Sequence, residues 1–238
     1  MNRIIITLTF SFFSIFAFAQ FQLKSNGAYS MKYMSVSDPD LYWSQFDDKG
    51  NKAILGDNML LVESKKEEQA ISCAEFFFNP AEDDFIAEFL FQPSGVKDDK
   101  SFGIVFDYKN EKNFSLVSFT KKGFIYQVCE KGDFSIIRRG MYKLVPRKKK
   151  IETAENANLL NAILSNNKVF DVTIIKEQGQ LYLLLNDVEI ARLKNVKIAS
   201  PNMGFFVENK MKITAYAVGF STISHNDDSQ EYIISVNL

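Results

Sequence analysis

Three stretches of this sequence alternate apolar with other side chains at a period of two residues, the spacing of a half-buried β-strand and not of a helix. In FIAEFLFQ, Phe85, Ala87, Phe89 and Phe91 fall on one side; in SFGIVFDY they are Phe102, Ile104 and Phe106; in GFIYQVCE they are Phe124, Tyr126 and Val128. Turn-forming segments stand between such runs: NPAEDD, PSGVKDD, KNEKN, KKG, EKGD and SPN. Many short strands at even spacing predict an all-β sandwich or barrel rather than alternating strand and helix. With 238 residues, 46% of them hydrophobic and 23 of them Phe, the chain can fill one large core between two sheets.

Two hairpins follow from turn chemistry. KVFDVTIIKEQGQLYLLL turns at Gln178 to Gln180 around Gly179. LYLLLNDVEIARL turns at Asn186-Asp187, because short polar side chains tolerate the positive φ angles of a two-residue loop. That loop sets Leu185 opposite Val188 and Leu183 opposite Ile190, a wholly aliphatic side, with Leu184 opposite Glu189 and Tyr182 opposite Ala191 on the other. One segment breaks the pattern. In Ile151 to Leu164, the residues Leu159, Leu160 and Ile163 recur at helical spacing, which predicts a short helix in an insertion between strands.

The ends read differently. Residues 1–19 carry Arg3, a long apolar stretch, and Ala17 and Ala19 before Gln20, the pattern of a cleaved secretory signal peptide. Residues 20–40 are a leader or edge strand, 41–222 the sandwich, and 223–238 a polar tail whose EYIISVNL is a candidate last strand. No cysteine stands directly after the cleavage site, so a lipid anchor is not supported, and no second apolar stretch reaches spanning length. The expected location is secreted or periplasmic, with no membrane span once the signal is removed.

Charge and cysteine content narrow the chemistry. A net charge of −1 argues against a nucleic-acid partner, which requires an excess of Lys and Arg. Cys73 and Cys129 are the two cysteines, and export permits a disulfide between them; two buried free thiols are the alternative. They do not make a metal site, since zinc wants about four ligands and the sole histidine, His225, lies in the polar tail. The phosphate-binding patterns GxGxxG and GxxxxGK are absent, and no cofactor is expected.

Four pieces in chain order carry a likeness to a known fold family: GDNMLLVES, DFIAEFLFQ, SFGIVFDYKNEKNFSLVSFTKKGFIYQV, and the closing run from Phe170 to Phe220 with Asn186 in a turn and Gly204-Phe205 before the last strand. The sequence resembles the concanavalin A-like lectin and glucanase superfamily, in its laminin-G-like bacterial secreted form, over roughly Leu41 to Phe220. The resemblance implies a jelly-roll sandwich of two antiparallel sheets whose concave face or rim loops often bind sugars. Some domains of that superfamily hold a structural ion through an Asp in the final strand, where KITAYAVGF offers Thr214 and Tyr216 instead.

Catalytic strings are missing. Glycosidases of this fold place carboxylates two and four or five residues apart on one strand, and neither E-x-D-x-E nor E-x-D-x-x-E occurs. Glu88 reads as a lone exposed charge, and carboxylates brought together from separate strands are the one route left to a hydrolase. For sugar recognition, flat ring faces and neighbouring polar groups are needed. Trp43, beside Tyr42 in DPDLYWSQF, is either a stacking platform or a core plug, the commoner fate of a lone Trp at the start of a sandwich. Tyr126 and Tyr182 are further ring candidates on strands, with half-buried packing as their ordinary role. Arg138 and Arg139 open a basic cluster that runs through Lys143 to Lys150, suited to an acidic polysaccharide or an acidic partner, or simply a solvated loop. The expected function is a non-catalytic recognition module for a glycan, with a protein-interaction or envelope-assembly module as the alternative and a hydrolase last.

Overall fold

The computed structural model describes residues 32–66, 68–96, 100–120, 123–141, 169–186 and 188–224. The expected signal peptide, the helix at 151–164, the basic run at 147–150, His225 and the terminal strand lie outside these residues. Among the described residues every regular element is a strand. In chain order they are β1 (Lys32–Ser35), β2 (Phe46–Asp47), β3 (Asn51–Gly56), β4 (Met59–Ser64), β5 (Gln69–Glu75), β6 (Asp84–Ser94), β7 (Phe102–Asn110) and β8 (Asn113–Phe119). Then follow β9 (Gly123–Glu130), β10 (Asp133–Met141), β11 (Phe170–Glu177), β12 (Gln180–Leu185), β13 (Val188–Lys194), β14 (Asn202–Glu208) and β15 (Lys212–Ile223).

The strands form two antiparallel sheets. One runs β13-β12-β11-β6-β15-β4-β3-β2, with β1 added beside β15; the other runs β10-β9-β8-β7-β14-β5. Because β1 pairs with β15 from Lys32 to Ser35, the sandwich begins ahead of Leu41. The period-two runs supply the facing surfaces: Phe85, Ala87, Phe89 and Phe91 from one sheet meet Phe102, Ile104, Phe106 and Phe205 from the other, all fully buried. Ring contacts cross the gap, with Phe91 edge-on to Phe205 at 5.7 Å and Phe102 edge-on to Phe170 at 5.1 Å. Each such ring stabilises the fold by about 1.5–3 kcal/mol through burial alone.

Turn residues behave as their chemistry requires. Gln178 and Gly179 take φ of 48° and 73°, closing β11 onto β12 with Glu177 opposite Gln180. Asn186 has φ 49°; its N–H donates to the Asp171 carbonyl at 2.7 Å and its Oδ1 accepts the Asp171 N–H at 3.0 Å. Leu185 does face Val188 and Leu184 does face Glu189, but a bulge follows, so Leu183 faces Ala191 and Tyr182 faces Arg192. The expected pairs Leu183–Ile190 and Tyr182–Ala191 are therefore displaced by one residue, the ordinary effect of one extra residue in a strand.

Close strand approach fixes two glycines. A Cβ at Gly103 would run into the Val117 carbonyl oxygen, and one at Gly204 into that of Ser72. Both lie in the middle of the six-stranded sheet, where β14 lies between β5 and β7.

Of the two alternatives for the cysteines, the structure has the free thiols. Cys73 on β5 and Cys129 on β9 are both free and buried, on the outer face of the six-stranded sheet beside Val105, Leu116 and Phe206. Four strand-to-strand steps of about 4.8 Å separate their strands, a gap of about 19 Å, whereas a bridge needs Cα atoms within about 7 Å. Glu88 is likewise not an exposed charge: it is buried, on the outer face of β6 opposite Thr173.

Candidate functional site

The loop from Val36 to Ser44 is assembled by short-range polar bonds. Asp38 N–H donates to the Ser35 carbonyl and Leu41 N–H to that of Asp38, at 2.9 and 3.0 Å, while Asp38 Oδ1 accepts the Asp40 N–H at 3.0 Å. Trp43 then anchors the loop from beneath. Its Nε1–H donates to the Val36 carbonyl at 2.8 Å, its ring lies 5.4 Å from Phe205, and it is only 6% exposed. This corrects the platform reading: a Trp with both its ring and its N–H committed to the interior offers no face to a sugar.

A second loop stands next to the first. Ser44 N–H donates to the Cys73 carbonyl, and Ser44 Oγ accepts the Cys73 N–H, so the first loop runs along β5 toward the segment that follows it. There Phe78 N–H donates to the Phe76 carbonyl at 3.1 Å, a tight three-residue turn centred on Phe77. The turn sends Phe76 and Phe78 inward and Phe77 out. Phe76 packs on Phe220 at 5.4 Å and Phe78 on Phe85 at 4.8 Å. The rest of the loop is held by Asn79, whose carbonyl accepts the N–H groups of Glu82 and Asp83, and by Lys176, whose Nζ donates to the carbonyls of Pro80 and Asp83 at 3.0 and 2.7 Å.

Between these loops lies a pocket of about 190 Å³ lined by Met34, Asp40, Leu41, Phe76, Phe77 and Phe220. Its walls are apolar and aromatic, and Asp40 is its one carboxylate. Phe77 on its wall is 78% exposed, and Tyr42, the residue after Leu41, is 80% exposed. An outward ring on the wall of an apolar hollow, with a second exposed ring one residue from another lining residue, is a surface on which a flat ligand can stack. The volume is below the roughly 300 Å³ at which enclosed ligand sites begin, so it fits one ring or the edge of a chain.

The other sequence candidates are dispersed. Tyr126 points into the sandwich, is buried, and stacks on Phe106 at 5.9 Å; burial raises its phenol pKa, opposed in part by a hydrogen bond with Ser115. It is a core residue, because it shares its face of β9 with Phe124 and Val128. Tyr182 lies half-buried on the outer face of the nine-stranded sheet, against Ile175 and Leu184, with the Arg192 guanidinium 4.7 Å over its ring. Arg192 is held in place by Glu189 at 2.8 Å, so that ring face is already occupied. Arg138 and Arg139 are exposed on β10, at the opposite edge of the six-stranded sheet from β5. Among the described residues no group of three His, Cys, Asp or Glu side chains is placed to hold a metal ion.

Sequence reasoning missed Phe77 and the pocket. A signal existed in CAEFFFNP: three successive aromatics at a strand end cannot all face one core, and the middle one must turn away.

No family model matches the chain, and no curated protein does. Solved structures do match. The metal-free carbohydrate recognition domain of Emp46p superposes with a TM-score of 0.54 at 9% identity, over 79% of this chain and 90% of that one. A carbohydrate-binding module, CBM66 from Bacillus subtilis, gives 0.52 at 12% identity, over 74% and 94%. A protein of unknown function from Shewanella oneidensis MR-1, SO2946, gives 0.50 at 8% identity, over 86% and 90%. This chain is a jelly-roll sandwich. At such identities the likeness concerns the fold and not the ligand.

Proposed function

We propose that this jelly roll is an exported carbohydrate-recognition module of the concanavalin A-like kind, with Tyr42 and Phe77 stacking on a sugar at the pocket between the two loops. The observation that carries the reading is the highly exposed ring of Phe77 on the wall of an apolar hollow with one carboxylate among its lining residues, with the exposed Tyr42 next in the chain to the lining residue Leu41. Asp40 is placed at that hollow to meet ring hydroxyls. Sugar binding by this geometry rests on ring stacking and a few polar contacts. Two of the matched folds are named as carbohydrate-binding domains, which agrees with this reading.

The module binds without cleaving. Hydrolysis by the two-carboxylate route needs a second acid about 5–10 Å from the first across the bond, and Asp40 is the one carboxylate among the residues lining this pocket. The signal-like first 19 residues support the exported part of the reading; among the described residues no helix is long and apolar enough to cross a membrane.

The test is a glycan array with the purified protein, repeated with Phe77→Ala and Tyr42→Ala and at low and high salt. The expected result is selective binding that both variants lose and that salt does not weaken, since stacking does not depend on counterions. Salt-sensitive binding lost instead in Arg138→Ala/Arg139→Ala would move the site to the basic edge. No binding by a folded protein would sink the glycan reading.

A further inference from the structure

Among the described residues, β10 is hydrogen-bonded to β9 along one side and has no strand on the other. From Asp133 to Arg139 every residue is exposed, including the large apolar side chains of Phe134, Ile136 and Ile137 at 42, 45 and 53%. An edge of this length and hydrophobicity is a template for another strand, and soluble proteins usually blunt such edges or cover them. A bulge falls between Ile136 and Arg138, so Ile137 is the extra residue.

We propose that β10 pairs with β10 of a second copy of this chain, antiparallel about a two-fold axis between Ile136 and Ile137, to make one continuous sheet across a dimer. The strand is self-complementary in that register. Phe134 lies opposite Arg139 of the second copy, and Ser135 opposite Arg138 of the second copy. Residues that meet across a sheet must share a face, and these do. Phe134 and Arg139 pair with Cys129 and Ile125 of β9, four residues apart; Ser135 and Arg138 pair with Val128 and Tyr126, two apart. The bulge makes this possible, because it brings the even-numbered and odd-numbered halves of the strand into phase. Each Arg139 then reaches the ring of a Phe134, an attraction of cation for π-face. Asp133 shares its face with Arg138, since their β9 partners Glu130 and Tyr126 are four residues apart, and it lies diagonally across from Arg138 of the second copy, so opposite charges are neighbours at both ends. Ile136 and Ile137 form the apolar centre. A second copy therefore fits this edge without an additional sequence feature, and the aromatic–arginine composition is that of interface cores. Because β5 and β10 are opposite edges of the six-stranded sheet, the pairing leaves both aromatic pockets at the outer ends of the dimer. The proposal stands independently of what those pockets bind.

The experiment is sedimentation velocity of the full chain from about 1 μM to about 100 μM, with amide hydrogen exchange at both ends of that range. The expected result is a mass that rises toward twice the monomer's with concentration, together with slower exchange from Phe134 to Arg139 at high concentration. Ile137→Lys should weaken the association at least about tenfold while the melting temperature of the monomer stays as in the parent, since Ile137 is exposed. A monomer mass at every concentration overturns the proposal, whether or not the β10 amides are protected. So does a dimer that forms without added β10 protection, which needs no variant to detect.

Discussion

Phe77 and Trp43 show how differently two aromatic side chains close to one site bear on the molecule. Trp43 fills the core against Phe205 and ties its loop to Val36. Trp43→Ala should therefore cost about 3–5 kcal/mol in a urea unfolding experiment, the range for emptying a large buried ring. Phe77 is mostly solvated. Phe77→Ala should move the same unfolding midpoint by less than about 0.5 kcal/mol yet abolish glycan binding. If Phe77→Ala unfolds the protein as readily as Trp43→Ala, the ring is structural and the site assignment fails.

At the scale of elements, the loop that carries Phe77 depends on one amine. Lys176 leaves β11 to bond the carbonyls of Pro80 and Asp83. Lys176→Met removes both charge-assisted bonds while keeping the apolar stem, and should lower stability by about 1.5–3 kcal/mol. Amides of residues 79–83 should then exchange faster, and sugar affinity should fall without any change at the pocket wall. Unchanged exchange there would mean that Asn79 alone sets the loop. The strands themselves were legible in the sequence because alternation is a local property: Phe85 to Phe91 and Phe102 to Phe106 point where their spacing says. The fate of Trp43 and Tyr126 was not. Which side of an alternating run becomes interior depends on which sheet lies across from it, and the opposing rings Phe205 and Phe106 are distant in the chain or on another strand. The pocket was hidden for the same reason, since Leu41, Phe76 and Phe220 meet only after β1, β5 and β15 have taken their places. The separation of the two cysteines required the strand order, which skips from β7 to β14 to β5.

For the whole molecule, pH acts through groups that the fold keeps neutral. Burial raises the thiol pKa of Cys73, and that of Cys129, above the ordinary 9.0. In the unfolded chain both ionise near that value, whereas the native state holds its protons, so the native state binds more protons in the window above it. Stability is therefore complete below about pH 9 and falls as pH rises beyond it, by up to about 1.4 kcal/mol per pH unit for the buried Cys73 thiol and by less for Cys129. Melting curves between pH 7 and 10.5 check the sign; a midpoint that climbs with alkali would contradict it. The thiols should also resist a water-soluble disulfide reagent at pH 8 until denaturant is added, because the attacking species is the thiolate.

The distance between those two cysteines has a consequence for the redox surroundings in which the chain can fold. Both thiols lie in one face of one sheet, about four strand spacings apart, so neither oxidising nor reducing surroundings add or remove a covalent link within the fold. Its rigidity comes from packed rings and paired strands alone. The same native structure is accordingly accessible in oxidising and in reducing surroundings, and its melting temperature should be indifferent to glutathione.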